Sequence, residues 1–248
     1  MRVLLTHSPE DLDAYYGRAL PKLLAIAEVV RNPLGRDLDT SELITAARGC
    51  EVIVAHRSTP GEAALFTGLP DLVAFLRCAV DISTIDVPAA SAAGVLVGHA
   101  AKTFIASTAE LALALMLDLA RHVTESTIEF RDGLSPEQRP GVQLSGRVAG
   151  IIGYGAIGAH LASMLRSLGM WVLVADPLVD ATHDGFEQCG LDELLARSDF
   201  VLPLAPATPS TANLIDGEAL RAMRRGTLLV NVSRGELLDE PAVAAALD

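Results

Sequence analysis

Short apolar runs and longer amphipathic segments alternate along the first hundred residues of the chain. Runs of four or five apolar residues bounded by polar or turn residues are typical of buried parallel strands. Between them, apolar residues recur at helical spacing, most clearly over residues 12–27 and 41–48. Strands are predicted at residues 3–6, 29–30, 51–55, 72–76 and 94–97. Strands that alternate with helices indicate a compact α/β domain with a parallel sheet, here over residues 1–101.

The middle of the chain is predicted to be a connector helix followed by a linker, over residues 102–146. Residues 111–121 form a helix that is apolar nearly all round, and Ser107 to Glu110 fit an N-terminal capping box. A helix with that pattern must be covered on several sides, which suits a connector between two domains. Residues 131–146 contain three glycines and two prolines, so we expect a loop there.

The clearest pattern lies between Arg147 and Asp176. An apolar strand is followed by glycines spaced G-x-G-x-x-G, then by an amphipathic helix, then by a second apolar strand that ends in Asp176. This is the order of a dinucleotide-binding unit. In such a unit the glycines allow the backbone to approach a pyrophosphate, the helix N-terminus attracts the phosphates, and the acid binds the ribose hydroxyls. The candidate cofactor-binding residues are Gly153, Tyr154, Gly155, Ala156, Ile157, Gly158 and Asp176.

Asp176 predicts NAD(H) rather than NADP(H), because its charge would repel a 2′-phosphate. No lysine or arginine lies between Pro177 and Glu187 to hold that phosphate. Further along the chain, helices are predicted at residues 191–197, 216–223 and 240–247, and strands at 200–204 and 227–232. Only four strands are then predicted after Arg147, whereas a complete dinucleotide-binding sheet has six. We therefore expect residues 147–248 to be a Rossmann domain that lacks its last strands.

The composition of the chain argues against several classes of partner and site. The chain has 248 residues and a formal net charge of −12, which argues against nucleic acid and anionic membranes as partners. No apolar run approaches the length of a membrane span. Cys50, Cys78 and Cys189 stand far apart without metal-ligand spacing, so we expect reduced thiols, no metal site and a cytoplasmic location.

The segment N-V-S-R-G-E-L-L-D at residues 231–239, together with G-Y-G-A-I-G at 153–158 and Pro206 to Thr208, closely resembles the D-isomer-specific 2-hydroxyacid dehydrogenases. The resemblance implies two doubly wound parallel-sheet α/β domains, a flavodoxin-like substrate domain and a Rossmann NAD-binding domain. It also implies hydride transfer between NAD(H) and a small 2-hydroxy or 2-keto acid, and a homodimer formed through the NAD-binding domain.

The resemblance also assigns roles to individual residues. Arg234 takes the role of the arginine that binds the substrate carboxylate and polarises its carbonyl, as a bidentate guanidinium can. The alternative is an arginine that closes a helix or pairs with Glu236 or Asp239. Further cofactor-binding candidates are Thr108, Ala205, Pro206, Thr208, Val232 and Ser233, with Arg234 itself. For Thr108, the alternative is an ordinary residue at a helix N-terminus.

Residues 77–86 align with the substrate loop of the family, and Ala79 and Asp81 stand where the family usually has glycine. A carboxylate at Asp81 would repel a bound acid, so we expect Asp81 to cap the next turn or to pair with Arg57 or Arg77. The substrate-binding candidates are Arg57, Ser58, Ala79, Val80 and Asp81. For Arg57, a solvated loop charge is the alternative.

The family's general acid/base is a histidine oriented by a glutamate, both downstream of the arginine motif. The sequence ends at Asp248 before either, so we expect a C-terminally truncated family member. By position, none of the six histidines replaces the family's histidine: His160 is expected on the helix surface, and His56, at a strand end, is a weak candidate. Two interpretations remain open. One is an NAD-dependent dehydrogenase, and the other is a catalytically incompetent NAD(H)-binding homologue that acts as a sensor or interaction protein.

Overall fold

A computed structural model of the chain describes residues 1–101 and 103–247. The chain folds into two compact units, Met1–Thr103 and Phe104–Asp248. Within the described residues, each unit contains one five-stranded sheet in which all neighbouring strands are parallel. Apolar side chains cover both faces of both sheets. This confirms the predicted fold class of two doubly wound α/β domains.

The sheet of the first unit has the strand order β2-β1-β3-β4-β5, which is the flavodoxin-like order. Each of the five strands overlaps a predicted one. Successive residues of β1 point to opposite faces: Leu4 packs into one apolar cluster, and Val3 and Leu5 pack into another. The strands are β1 (Arg2–Leu5), β2 (Glu28–Arg31), β3 (Val52–Ala55), β4 (Ala74–Arg77) and β5 (Leu96–His99).

The prediction of one long helix over residues 12–27 is wrong. Ser8 caps a first helix by accepting a hydrogen bond from the Asp11 backbone N–H, and that helix ends at Tyr15. Gly17 and Pro21 interrupt the helical pattern, since proline is tolerated only in the first turn of a helix. Two further helices of six residues each were not predicted, because so short a segment shows only a weak helical period. The helices are α1 (Pro9–Tyr15), α2 (Leu20–Leu24), α3 (Thr40–Ala46), α4 (Ala63–Gly68) and α5 (Val87–Ala92).

The sheet of the second unit has the strand order β10-β9-β6-β7-β8. The prediction of four strands after Arg147 is wrong, since the described residues there form five. The missed strand, β8, has two polar residues and pairs with β7, so it carries no apolar run to detect. The order matches five strands of the six-stranded Rossmann sheet. The strands are β6 (Val148–Ile152), β7 (Trp171–Ala175), β8 (Glu187–Gln188), β9 (Phe200–Pro203) and β10 (Leu228–Leu229).

The long apolar helix begins earlier than predicted and has no capping box. Its N-cap is Phe104, and Ser107 lies within its first turn, where its hydroxyl donates to the Phe104 carbonyl oxygen. The helix buries Ala112 and Met116 in the core of the second unit, and an unpredicted helix follows it. The helices are α6 (Ile105–Arg121), α7 (Val123–Arg131), α8 (Ala156–Ser167), α9 (Leu191–Arg197), α10 (Gly217–Ala222) and α11 (Glu240–Leu247), with single 3-10 turns at Thr182–Asp184 and Gly235–Leu237.

Two expectations from composition can be compared with the structure. Cys50, Cys78 and Cys189 are free cysteines. Among the helices of the described residues, none is both long and apolar enough to cross a membrane.

Candidate functional site

In the second unit, the predicted cofactor residues follow strands whose carboxyl ends share one sheet edge. The glycine turn follows β6, Asp176 follows β7, the loop with Ala205 follows β9, and Arg234 lies beyond β10. Ligands of open α/β sheets bind at this edge, where neighbouring strands are connected in opposite directions. In this sheet that point lies between β6 and β9.

The turn after β6 lies directly against the loop after β9. Gly153 has a φ of +99°, and a Cβ there would come within 2.8 Å of the Ala205 backbone nitrogen. A side chain is therefore excluded both by conformation and by space. The neighbouring loop is tied to the same edge, because the Ser233 hydroxyl donates to the Pro203 carbonyl oxygen at 2.8 Å. These contacts bring the predicted residues after β6, β9 and β10 together.

The other two glycines of the motif have different surroundings. Gly155 is the N-cap of α8, is exposed, and would place a Cβ with no neighbour within 4 Å. Within the described chain, no side chain caps this helix, so its first backbone N–H groups are not satisfied by a capping side chain. Gly158 is buried, and a Cβ there would lie 2.2 Å from the Gly153 carbonyl oxygen. The turn is thus packed behind Gly158 and open at Gly155, which fits a dinucleotide pyrophosphate.

Asp176 is held by the backbone on both of its carboxylate oxygens. Oδ2 accepts from the Tyr154 N–H at 2.7 Å, and Oδ1 accepts from the N–H groups of Leu178 and Val179 at 2.7 and 2.9 Å. Burial acts to raise the pKa of Asp176, but these three donors hold it below its ordinary value. A carboxylate offers about four lone-pair sites, so about one, on Oδ2, stays available for a ribose hydroxyl.

Two side chains shape the loop after Asp176: Tyr154, predicted only as a cofactor-binding residue, and Gln188, which sequence reasoning missed. The Tyr154 side chain is 5% exposed, and its hydroxyl donates to Asp184 Oδ2 at 2.8 Å. Burial, followed by this bond, raises the pKa of Tyr154 to about 12. The Gln188 amide donates to the carbonyl oxygens of Asp176 and Val179 and accepts from the Ala181 N–H. In the sequence, the position of Tyr154 within the glycine motif indicated a role at this site, whereas nothing indicated a role for Gln188.

Arg234 lies at the end of a hydrogen-bonded loop. The Asn231 side chain accepts from the Ser233 N–H at 2.9 Å and donates to the Arg234 carbonyl oxygen at 2.7 Å. The Arg234 side chain is exposed, donates to the Ser233 carbonyl oxygen at 3.0 Å, and precedes the 3-10 turn Gly235–Leu237. The loop therefore presents the guanidinium on the surface of the second unit.

The remaining cofactor candidates lie on loops and at one helix start. Pro206 and Thr208 are exposed, and Thr211 links them: its hydroxyl donates to the Pro206 carbonyl oxygen at 2.6 Å and accepts from the Thr208 N–H at 2.8 Å. Val232 is half-buried beyond β10. Thr108 is half-buried in the first turn of α6, and its backbone N–H donates to the Phe104 carbonyl oxygen at 3.0 Å.

In the first unit, the substrate candidates follow two adjacent strands and are joined by a buried arginine. Arg57 and Ser58 follow β3, and residues 79–81 follow β4. Arg77 is 2% exposed and donates to the carbonyl oxygens of Arg57 and Thr59, the latter at 2.6 Å, and to the Thr84 hydroxyl at 3.1 Å. Burial lowers the pKa of Arg77. The sequence placed Arg77 in the loop but did not identify this positioning role.

Asp81 adopts the capping arrangement that we expected as one alternative. Its Oδ1 accepts from the Ser83 backbone N–H at 2.8 Å, which closes the turn that follows. The charge of Asp81 also acts on Arg77, raising the pKa that burial lowers. The Asp81 carboxylate is thus engaged in the local structure of this turn. This is the position at which we expected a carboxylate to repel a bound acid.

Comparison with known proteins identifies the class. Residues 113–248 match the family described as D-isomer specific 2-hydroxyacid dehydrogenase, NAD binding domain. The chain is 36% identical over 213 residues to D-3-phosphoglycerate dehydrogenase of Mycobacterium tuberculosis (strain ATCC 25618 / H37Rv), covering 84% of this chain and 40% of that protein. It is 31% identical over 207 residues to hydroxypyruvate reductase of Thermotoga maritima, covering 83% and 68% of the two chains.

A solved structure described as the pyruvate reductase of Chlamydomonas reinhardtii agrees with a TM-score of 0.84 at 30% identity, over 99% of this chain and 72% of that chain. The fold and the site therefore define an NAD-binding α/β protein with NAD(H) as its cofactor. The chain belongs to the D-isomer-specific 2-hydroxyacid dehydrogenase family. It spans about two fifths of the length of the curated phosphoglycerate dehydrogenases that it matches.

Proposed function

We propose that the protein transfers hydride between NAD(H) and a small 2-hydroxy or 2-keto acid. The observation that carries this proposal is the shared sheet edge of Gly155, Asp176 and Arg234, which follow parallel strands of one sheet. An open helix N-terminus and a ribose-binding acid suit the dinucleotide. An exposed arginine on a loop from the same edge suits an anionic substrate.

When bound, NAD(H) would supply the hydride chemistry at its nicotinamide, and a proton exchanged with solvent would complete the interconversion of the carbonyl and the hydroxyl group. The first N–H groups of α8 would hold the pyrophosphate, and the free acceptor site of Asp176 would hold a ribose hydroxyl. Arg234 would bind the substrate carboxylate through two parallel hydrogen bonds and draw electron density from the adjacent carbonyl. In the first unit, Arg57, Ser58 and residues 79–81 remain proposed substrate-binding residues.

Steady-state kinetics of the purified chain test this proposal. NADH oxidation is followed with glyoxylate, pyruvate and hydroxypyruvate in the original chain and in Arg234→Gln. The substitution should raise KM for the acid at least about tenfold, the cost of losing a charge-assisted pair, and should weaken NADH binding by a smaller factor. Arg225→Gln, at an exposed arginine of the same unit, is the matched control and should change neither parameter.

The same measurements separate this function from the alternative. NADH binding without oxidation by any of the three acids would favour an NAD(H)-binding protein without catalysis. Equal KM values in Arg234→Gln and the original chain would remove Arg234 from substrate binding. No NADH binding at all would contradict both interpretations.

We also infer that the protein forms a homodimer through its second unit. Helices α6 and α7 expose large apolar side chains, a composition typical of interaction surfaces. Phe130 is 70% exposed, and Leu111, Val123 and Ile128 are each more than half exposed. Sedimentation velocity should show a dimer that Phe130→Glu converts to a monomer. Leu178→Glu, at a residue 92% exposed on another surface element, should leave the dimer intact.

A further inference from the structure

The acid loop, which comprises residues 176–184 of the second unit, lies mostly in solvent. Residues 177–180 and 182–184 are exposed, whereas Ala181 is fully buried. Apolar packing therefore anchors the acid loop mainly at Ala181. The two ends of the loop depend on hydrogen bonds to neighbouring elements.

Tyr154, in the glycine turn, binds both ends of the acid loop. Its backbone N–H donates to Asp176 Oδ2 at 2.7 Å, and its hydroxyl donates to Asp184 Oδ2 at 2.8 Å. The ring is 5% exposed and packs edge-on against the Phe186 ring, with 5.9 Å between the centroids. Burial and the bond to Asp184 raise the pKa of the Tyr154 hydroxyl to about 12, so the hydroxyl remains a donor at neutral pH.

Two other side chains support the acid loop from elements outside the glycine turn. Gln188, on β8, makes three hydrogen bonds to backbone groups of the loop. Arg166, on α8, donates to the Asp184 carbonyl oxygen at 2.9 Å. These bonds shape the loop itself, whereas the Tyr154 hydroxyl ties the far end of the loop to the turn in which α8 begins.

The position of the acid loop decides whether Asp176 can reach a ribose hydroxyl. Three backbone N–H groups fill most of the acceptor sites of Asp176, so about one site, on Oδ2, remains. A hydrogen bond weakens steeply when its angle departs from linearity, so a shift or rotation of this carboxylate removes the interaction. A binding group of this kind needs supporting hydrogen bonds that hold it within about 0.5 Å.

We propose that Tyr154 is a positioning residue for NAD(H): its hydroxyl, through Asp184, holds the acid loop so that Asp176 presents its remaining acceptor site to the adenosine ribose. The Tyr154 side chain is buried and bonded to Asp184, so it acts on the cofactor through the loop and not by contact. The inference rests on the proposed function, because it takes Asp176 as the group that binds the ribose hydroxyl.

Calorimetric titration of the full chain with NADH, and with an analogue that lacks the adenosine 2′-hydroxyl, tests the inference. The original chain should bind NADH at least about tenfold more tightly than the analogue, the effect of one hydrogen bond to a charged acceptor. Tyr154→Phe removes only the phenolic hydroxyl. It should reduce this ratio to about threefold or less, and it should change the affinity for the analogue by less than about twofold. Tyr15→Phe, the same change at a side chain that is 78% exposed, is the matched control and should leave the ratio unchanged.

Substitutions at Asp184 test the partner of Tyr154 at an exposed position, where truncation costs little stability. Asp184→Ala should reduce the ratio as far as Tyr154→Phe does. The double variant should have a ratio no lower than either single variant, since both changes remove the same hydrogen bond. Asp184→Asn keeps an acceptor oxygen and should retain most of the original ratio.

The outcomes separate this inference from the proposed function. If the original chain binds NADH and the analogue equally, the proposed role of Asp176 fails and the inference fails with it. If the original chain prefers NADH and both Tyr154→Phe and Asp184→Ala keep the full preference, the inference alone is overturned. It is also overturned if these two variants weaken NADH and the analogue by the same factor, because Tyr154 would then support only the general structure of the unit.

Discussion

Two alanine substitutions in the glycine turn, at Gly158 and at Gly155, should differ in their effects on stability. At Gly158, the new Cβ would lie 2.2 Å from the Gly153 carbonyl oxygen, a distance that no real contact permits. Because the obstacle is backbone, α8 must move away from the turn. Overpacking of this kind costs about 1–3 kcal/mol. Gly158→Ala should therefore lower the melting temperature by several degrees.

At Gly155 the structure predicts almost no change in stability. The residue has φ −75° and ψ −169°, which alanine adopts freely, and its new Cβ would meet no atom within 4 Å. Reduced freedom of the unfolded chain stabilises by about 0.4–1 kcal/mol. Alanine is, however, a worse N-cap than glycine by a similar amount, so the net change should stay within about 0.5 kcal/mol. NADH affinity should nevertheless fall at least about tenfold, because the methyl group occupies the space for the pyrophosphate.

Thermal unfolding followed by circular dichroism, with calorimetric titration of NADH, measures both effects in the same samples. His160→Ala, an exposed substitution on α8, provides the control and should change neither. Unchanged NADH affinity in Gly155→Ala would refute the reasoning, since the open space at this glycine would then not be where the pyrophosphate lies. A Gly155→Ala chain as unstable as Gly158→Ala would show that the turn is packed differently.

Four further predictions concern other parts of the site. Asp176→Asn should reduce the preference for NADH over NADPH about tenfold by removing the charge that repels a 2′-phosphate, and equal binding of both cofactors by the original chain would contradict this. Burial lowers the pKa of His7 to about 4, so the folded state binds a proton at His7 less readily than the unfolded state does. Denaturant titrations should therefore show the full free energy of unfolding above about pH 6.5 and a decrease of about 3 kcal/mol as the pH falls to about 4. His7→Gln should flatten this pH profile. Arg77→Met should destabilise the first unit by about 3 kcal/mol, since it leaves two carbonyl oxygens without their donor, and Arg77→Lys should recover part of the loss. Asp81→Asn keeps the hydrogen bond to Ser83, so it should change the affinity for 2-hydroxy acids by less than about threefold in calorimetry.

The positions of most strands along the chain were readable from the sequence, because parallel strands buried on both faces are continuous apolar runs. The glycine turn was also predicted from the sequence, because local geometry requires glycine at Gly153 and Gly158. At Gly155 the requirement comes from the proposed pyrophosphate site, and the spacing of the three glycines is therefore a recognisable motif. The positions of Asp176 and Arg234 then followed, since each lies just beyond a strand on one sheet edge. A pattern fails where an element is short or polar, and this is why β8 and α4 were missed.

Tertiary structure alone decided what surrounds each functional group. Nothing near Asp176 in the sequence indicates that three backbone N–H groups occupy most of its acceptor sites, because one of them comes from Tyr154 in another loop. Likewise, His7 becomes an unpaired buried ring, and Arg77 a link between two loops, only when β1, β3 and β4 lie side by side. Strand propensity and residue spacing are local properties, whereas burial and hydrogen-bond partners depend on residues far apart in the chain. The sequence therefore determined where the candidate site lies, and the fold determined how each of its side chains is held.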